Sequence, residues 1–351
     1  MRLAAATIAS RSRVALARAT ALTFRRFHPE LPFFLLLADE PHESIRSEQE
    51  PFEILPFCEI QAPEESRFRF RYGELELSYA ATPFLMGRLL ELGFDGVLFL
   101  KQETLVLDRL DPLFELLARH SILLTPHFLE PPRGRDAFTR ERNVLRAGVF
   151  NGGVVAFSRC QEARRVLDWW QQKTLRLCLL EVEEGLHYEQ RWLDFFPSLA
   201  PSCGIVRDPG INVGHWNLAE RRIAVRDGRV TACGVPCRIF RFSGYEPHRP
   251  DWVTRYNPEL RVESTGEAAG VFRRYQLLLE ECGWRHTFGL PYAWEYFDNG
   301  ERITPAMRRL YRLLGDEVER FGNPFLSAGE GSFYWWLRSH APQLLVGGGR
   351  G

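Results

Sequence analysis

The 351-residue chain has no excess of charge of either sign: lysine plus arginine number 45, and aspartate plus glutamate also number 45. A balanced chain carries no global field to recruit nucleic acid or an anionic membrane, so any charge that meets phosphate must be local. Paired cysteines are missing as well. The seven cysteines are scattered and odd in number, which fits free thiols in a reducing compartment rather than a disulfide framework. Their one close pair, Cys233 and Cys237, has no second pair beside it, and that argues against zinc. Long hydrophobic runs are absent too. The Ala-rich start, Met1 to Thr23, is interrupted by Arg11, Arg13 and Arg18, unlike the core of an export signal. The stretch Leu31 to Ala38 falls far below the ~18 residues that a membrane span needs. These absences predict a cytoplasmic chain with no transmembrane segment.

What is present is ample core material, 45% hydrophobic and 13% aromatic, enough for one large α/β domain with a smaller appendage. Leu3 to Ala9 reads as a small-residue strand, Val14 to Phe27 as a helix, and Phe33 to Ala38 as a second strand ending in Asp39. That βαβ opening predicts a parallel sheet. Pro83 to Leu92 has helical spacing with Gly93 as its stop. Asp111-Pro112 reads as an N-cap and first turn, leading to a strand at Ser121 to Thr125. Pro126 to Arg140, with Pro131-Pro132-Arg133-Gly134-Arg135, reads as a mobile surface loop. Gly148 to Phe157 is a strand, His187 to Phe195 a short helix, Ile205-Val206 and Arg238 to Phe242 strands, and Asp227-Gly228 a hairpin turn. Beyond about residue 255 the pattern is helical. The organisation expected is a domain over 1–254, a helical extension over 255–345, and a flexible Gly-rich tail at 346–351.

The most informative stretch is Phe94 to Leu107. An apolar run there stops at Lys101-Gln102-Glu103 and then resumes. Open α/β sheets gather ligands at the carboxyl ends of their strands, so charges interrupting a core strand are functional candidates. A polar turn between two core strands is the plain structural alternative.

Five segments in order resemble the motifs of GT-A-fold nucleotide-sugar glycosyltransferases of the glycogenin and lipooligosaccharide-galactosyltransferase type. The resemblance covers roughly residues 3 to 250. Thr7-Ile8-Ala9-Ser10 matches the strand end where that family holds the nucleoside, which implies Thr7, Ala9 and Ser10. Lys101-Gln102-Glu103 stands where the family has Asp-x-Asp. Phe150-Asn151-Gly152-Gly153-Val154 is similar to Phe-Asn-Ser/Ala-Gly-Val, which implies Asn151, Gly152 and Gly153 against the donor sugar. Glu189-Gln190-Arg191-Trp192-Leu193-Asp194 resembles Asp-Gln-Asp-x-Leu-Asn, which makes Glu189 and Gln190 the catalytic candidates. Arg241-Phe242-Ser243-Gly244-Tyr245-Glu246-Pro247 occupies the place of His-Phe-x-Gly-x-x-Lys-Pro, which implies Arg241, Ser243 and Gly244 near a diphosphate. The segments Phe297 to Gly300 and Arg320 to Phe325 resemble the tails of bacterial glycosyltransferases of this kind.

The resemblance implies a GT-A α/β fold, a Rossmann-like mixed sheet with a helical C-terminal extension. It also implies hexosyl transfer from a nucleotide-diphosphate sugar to a glycan, lipid or protein acceptor. Its departures bear on metal. The family's two aspartates and a histidine hold a divalent ion, whereas these positions read Lys101, Glu103 and Arg241. Protonated lysine and arginine cannot ligate a metal, and together they carry the same +2 as the ion. The expectation is therefore a metal-independent site with no cofactor beyond the nucleotide sugar, Lys101 and Arg241 replacing the ion. Non-catalytic binding of a nucleotide sugar or glycan on the same fold is the alternative. Glu189 has a structural reading as a first-turn carboxylate on a helix dipole. His215 and Trp216 sit in a polar, aromatic turn that suits stacking on a sugar, or a structural role. A zinc-deaminase reading of His187-Tyr188-Glu189 fails, because Pro236-Cys237 is followed by Arg238-Ile239-Phe240 with no second thiolate.

Overall fold

The computed structural model describes residues 1–345; the Gly-rich tail expected at 346–351 lies outside the described residues. The first half of the chain alternates strands and helices: β1 (Leu3–Ala9), α1 (Val14–Phe27), β2 (Phe33–Leu37), β3 (Glu53–Pro56), α2 (Glu65–Arg71), α3 (Glu74–Ala80), α4 (Thr82–Glu91), β4 (Gly96–Leu100), β5 (Thr104–Val106), α5 (Asp111–Leu117), β6 (Ile122–Pro126), α6 (Ala137–Ala147), β7 (Phe150–Ser158) and α7 (Gln161–Leu177). Of these, β3, α2, α3 and α6 are additions to the elements expected. The strand Cys203–Ile205, then β6, β7, β4, β1, β2 and β3 form one seven-stranded sheet in that order.

Continuous apolar strands force burial on both faces. Alternation along β1 sends Ala4, Ala6 and Ile8 toward Leu85, Leu89, Val166 and Trp170 of α4 and α7. Ala5 and Ala9 face Val14, Ala17 and Phe24 of α1 and Leu113 and Leu117 of α5. All sheet pairs are parallel except those of β7, which runs opposite to both β4 and β6. That reversal positions the site. The start of β7 lies beside the end of β4, so Asn151-Gly152-Gly153 and Lys101 share one edge of the sheet.

A second, two-stranded ribbon pairs β5 with Ile239–Arg241 in antiparallel register, Arg241 opposite Thr104. The expected hairpin turn is present, with Asp227 and Gly228 both at positive φ between Ile223–Arg226 and Arg229–Ala232. Beyond residue 255 the main elements are helices, among them Ala268–Glu281, Pro305–Leu313 and Phe333–His340. The first packs Val271, Phe272 and Tyr275 against Ala15, Leu16, Phe240 and Phe242. The other two enclose Phe70 of α2 with Tyr311, Phe333 and Leu337. No helix among the described residues is long and apolar enough to cross a membrane.

Three local expectations need correction. Asp111 is not a cap but the first helical residue, after Leu110 at the N-cap position; its carboxylate is held instead by Arg109, Nε to Oδ2 2.5 Å. The loop expected over Pro126 to Arg140 ends early, because α6 begins at Ala137. None of its residues is buried, so it carries no core-facing stripe to announce it. The helix expected over His187 to Phe195 is a 3-10 turn over Gln190–Phe195, because Tyr188 takes φ 51° and breaks the chain away from helical geometry.

Candidate active site

Backbone pairing assembles the site from four distant segments. The Lys101 amide donates to the Gly153 carbonyl at 3.0 Å, and Phe242 donates to the Glu103 carbonyl at 2.9 Å. Lys101 and Glu103 therefore lie between β7 on one side and the Arg241 strand on the other. The left-handed turn at Tyr188, whose ring meets Tyr79 edge-on at 5.1 Å, sends the next side chain, Glu189, inward.

Two ion pairs result. Lys101 Nζ lies 2.7 Å from Glu189 Oε1 and 3.6 Å above the centre of the Tyr79 ring. The Glu189 side chain is wholly shielded from solvent. Neither carboxylate oxygen has an aligned hydrogen bond, so its contact with Lys101 is Coulombic and Oε2 has no partner. Arg241, 2% exposed, places Nη2 2.7 Å from Glu103 Oε1, and its Nη1 donates to Asn151 Oδ1 at 3.3 Å. Burial pushes the Glu103 carboxyl up, but Arg241 and then Lys101 outweigh it and hold the group below its ordinary value.

The two glycines are there because nothing larger fits. A Cβ on Gly153 would stand 1.1 Å from Arg241 Nη1, and one on Gly152 would stand 2.8 Å from Glu189 Oε1. Asn151 accepts from the Gly153 amide at 2.9 Å and meets His127 Nε2 at 3.1 Å through its own Nδ2. Gln190 is spent on the backbone: its Oε1 accepts from the Gly152 amide at 2.9 Å and its Nε2 donates to the Ala147 carbonyl at 2.9 Å.

Lys101, Asn151, Glu189, Gln190, His215, Arg241 and Ser243 all line one cavity of about 420 Å3, a volume that suits a small ligand. Burial, with a smaller push from Arg241, lowers His215 to about 4. Burial likewise lowers His127 to about 4. Both rings are neutral at pH 7 and add no cation. An adjoining space of about 100 Å3 is lined by Ser10, Glu103 and Gly244, and the two share Tyr79, Arg255 and Tyr256. Four expected residues border neither space: Gly152 and Gly153 are buried behind Glu189 and Arg241, and the other two lie deeper. Thr7 and Ala9 are fully buried inside β1 and border neither space.

Sequence reasoning missed four contributors. Glu74, at the start of α3, accepts from the Ser10 and Ser12 hydroxyls. Tyr79 carries Lys101 on its face. Tyr256 closes one side of both spaces. Arg255 borders both as well and has no carboxylate partner among the described residues; its guanidinium lies 5.2 Å from the Tyr256 ring centre. None of these belongs to a motif, and no local signal in the sequence marks them.

The residues at Lys101 to Glu103 do not fit a divalent ion. Glu103 and Glu189, the carboxylates within reach, are each held by a cation, and an added dication would lie against an ammonium and a guanidinium.

No protein-family model matches the chain. Two curated proteins of Bacillus subtilis (strain 168) are similar to it. Uncharacterized protein YfnF is 23% identical over 245 residues, spanning 68% of this chain and 80% of YfnF. Uncharacterized protein YfnD is 28% identical over 127 residues, spanning 34% of this chain and 41% of YfnD. Among solved structures, the galactosyltransferase LgtC in complex with donor and acceptor sugar analogs superposes with a TM-score of 0.51 at 15% identity, covering 83% of this chain and 98% of LgtC. The glycosyltransferase GlyE of Streptococcus pneumoniae TIGR4 gives 0.45 at 16% identity, covering 84% and 67%. The chain has the GT-A glycosyltransferase fold, resembling LgtC.

Two predictions follow from the geometry. Gly153→Ala drives a methyl into the Arg241 guanidinium and should destabilise the fold by about 3 kcal/mol or more in a urea titration; a loss under 1 kcal/mol would mean that Arg241 does not pack on Gly153. Glu103 has a folded pKa below its ordinary 4.5, so its contribution is complete above that value and is lost as pH falls through the lower, folded one. Glu103→Gln, which strands a buried guanidinium, should cost roughly 3–5 kcal/mol at pH 7. The gap to the native protein should narrow below pH 4.5; a gap constant with pH would show that the pair contributes nothing.

Proposed function

We propose that the chain transfers a hexosyl group from a nucleotide-diphosphate sugar to a glycan, lipid or protein acceptor, without a divalent ion and with retention of anomeric configuration. The observation that carries the reading is the convergence of Lys101, Glu189, Asn151 and Arg241 on one sugar-sized cavity at the carboxyl edge of a GT-A sheet. In this reading the sugar occupies the larger space, with Glu189 Oε2, shielded from water and unpartnered, available to positive charge developing at the anomeric carbon. Lys101 and Arg241 take the ion's place by neutralising Glu189 and Glu103 rather than by presenting two free charges. Arg255, which has no carboxylate partner among the described residues and borders both spaces, is placed to meet the departing diphosphate, and its planar fork suits phosphate oxygens. Asn151 holds Arg241 and the Gly153 amide in register; Gln190 acts as a brace rather than a reacting group.

One observation favours the second reading, a non-catalytic binding module. The Gln190 amide is fully engaged with Gly152 and Ala147, and Glu189 is already paired. Hydrolysis of nucleotide sugars, assayed across a panel of bases and sugars, separates the two.

Turnover should persist in excess chelator; a requirement for manganese or magnesium, restored by adding the ion, would overturn ion replacement. Glu189→Gln should lower kcat by roughly 100-fold or more while donor affinity changes little. Weakened donor affinity with kcat unchanged would place Glu189 in binding alone. Arg255→Ala should weaken nucleoside-diphosphate affinity by roughly 1–3 kcal/mol in a calorimetric titration with the fold intact; unchanged affinity would remove Arg255 from the site.

A further inference from the structure

Helix α6 has eleven residues and buries none of them. Its outward face is nonetheless apolar: Phe138 is 73% exposed and Leu145 69% exposed. Spaced i, i+7, they stand on one side of the helix, with Arg142 between them at i+4 and its guanidinium 5.9 Å from the Phe138 ring centre. Val149, also exposed, continues the line just past the helix. Over residues 131–147 five arginines (Arg133, Arg135, Arg140, Arg142, Arg146) face two carboxylates, Asp136 and Glu141. In a chain of zero net charge this is a concentrated basic patch. None of the five has a carboxylate partner among the described residues; Arg140 instead donates to the Trp216 carbonyl at 3.4 Å and lies over Phe128.

A surface helix with no buried face, an exposed apolar stripe and flanking arginines has the composition of an interfacial helix. We propose that α6 docks this protein on an anionic lipid bilayer, with Phe138, Leu145 and Val149 entering the headgroup region and Arg133, Arg135 and Arg142 meeting lipid phosphates. The same helix contributes Asn143, Val144, Arg146 and Ala147 to the wall of the larger cavity, so docking sets that wall beside the membrane surface. Other occupants fit less well. A nucleic-acid backbone meets the arginines but gives exposed Leu145 and Val149 nothing to bury against. A second copy related by a two-fold axis would set this basic face against itself. The inference goes beyond the transferase reading and does not depend on it, because partition onto vesicles needs no donor.

The test is cosedimentation of the full chain with phosphatidylglycerol–phosphatidylcholine vesicles and with vesicles of phosphatidylcholine alone. Binding to the anionic vesicles only, weakened by salt, is expected. Arg135→Glu with Arg142→Glu, and separately Phe138→Ser with Leu145→Ser, should each lower partition at least roughly tenfold. Because these side chains are exposed, both double variants should keep the native circular-dichroism spectrum and thermal midpoint. Failure of the native chain to sediment with anionic vesicles, equal binding to neutral ones, or undiminished binding by either double variant overturns the proposal. So does retention on single-stranded DNA that needs the arginines but not Phe138 and Leu145, or a dimer that the serine substitutions dissolve while vesicle binding is absent.

Discussion

The structure around the sheet edge depends on two buried ion pairs, Lys101 with Glu189 and Arg241 with Glu103. Four charges removed from water are tolerable only as close opposite pairs, because desolvation costs several kcal/mol per ion and is offset by a partner at contact distance. That requirement reaches outward. It demands glycine at 152 and 153, where a Cβ would collide with Glu189 or Arg241. It demands Asn151 to take the second guanidinium nitrogen, and it sets Tyr79 beneath the Lys101 ammonium.

Pairing also changes what the cations can do. As isolated residues, Lys101 and Arg241 offer two positive charges to an incoming diphosphate. In the folded protein each is already neutralised, and Arg255, which borders both spaces, carries a charge with no carboxylate partner among the described residues. The same pairing withdraws both carboxylates from metal ligation. The four side chains therefore form a self-compensated cluster rather than a bare cationic hole.

Topology explains why these residues meet. Reversal of β7 brings the beginning of one strand to the end of another, and the antiparallel ribbon of β5 with Ile239–Arg241 delivers Arg241 across from Thr104. Helix α6 then follows the sheet edge outward, one side on the cavity and the other bare to solvent. Charge that averages to zero along the chain is thus uneven in space, with two ion pairs at the cavity and arginines lacking carboxylate partners on and just before one exposed helix.

The βαβ opening, the buried sheet strands and the break at Lys101 were legible in the sequence alone, because runs of buried apolar residues and the charges that end them are local signals; the edge strand β3, which buries no residue, was not. It also placed Asn151, Glu189, Arg241 and Ser243 as candidates by motif order, and the fold gathers them around one cavity. It could not reveal α6, which buries no stripe, or the role of Asp111, whose carboxylate is taken by Arg109 through a contact that propensity does not encode. Nor could it exclude Thr7 and Ala9, whose burial inside β1 depends on strands above and below. Only the tertiary structure decided that Lys101 and Arg241 would face carboxylates, that Gln190 would brace a backbone amide, and that Arg255 would stand unpaired between two spaces. Each is a contact between segments far apart in the chain, and such contacts leave no periodicity in the sequence.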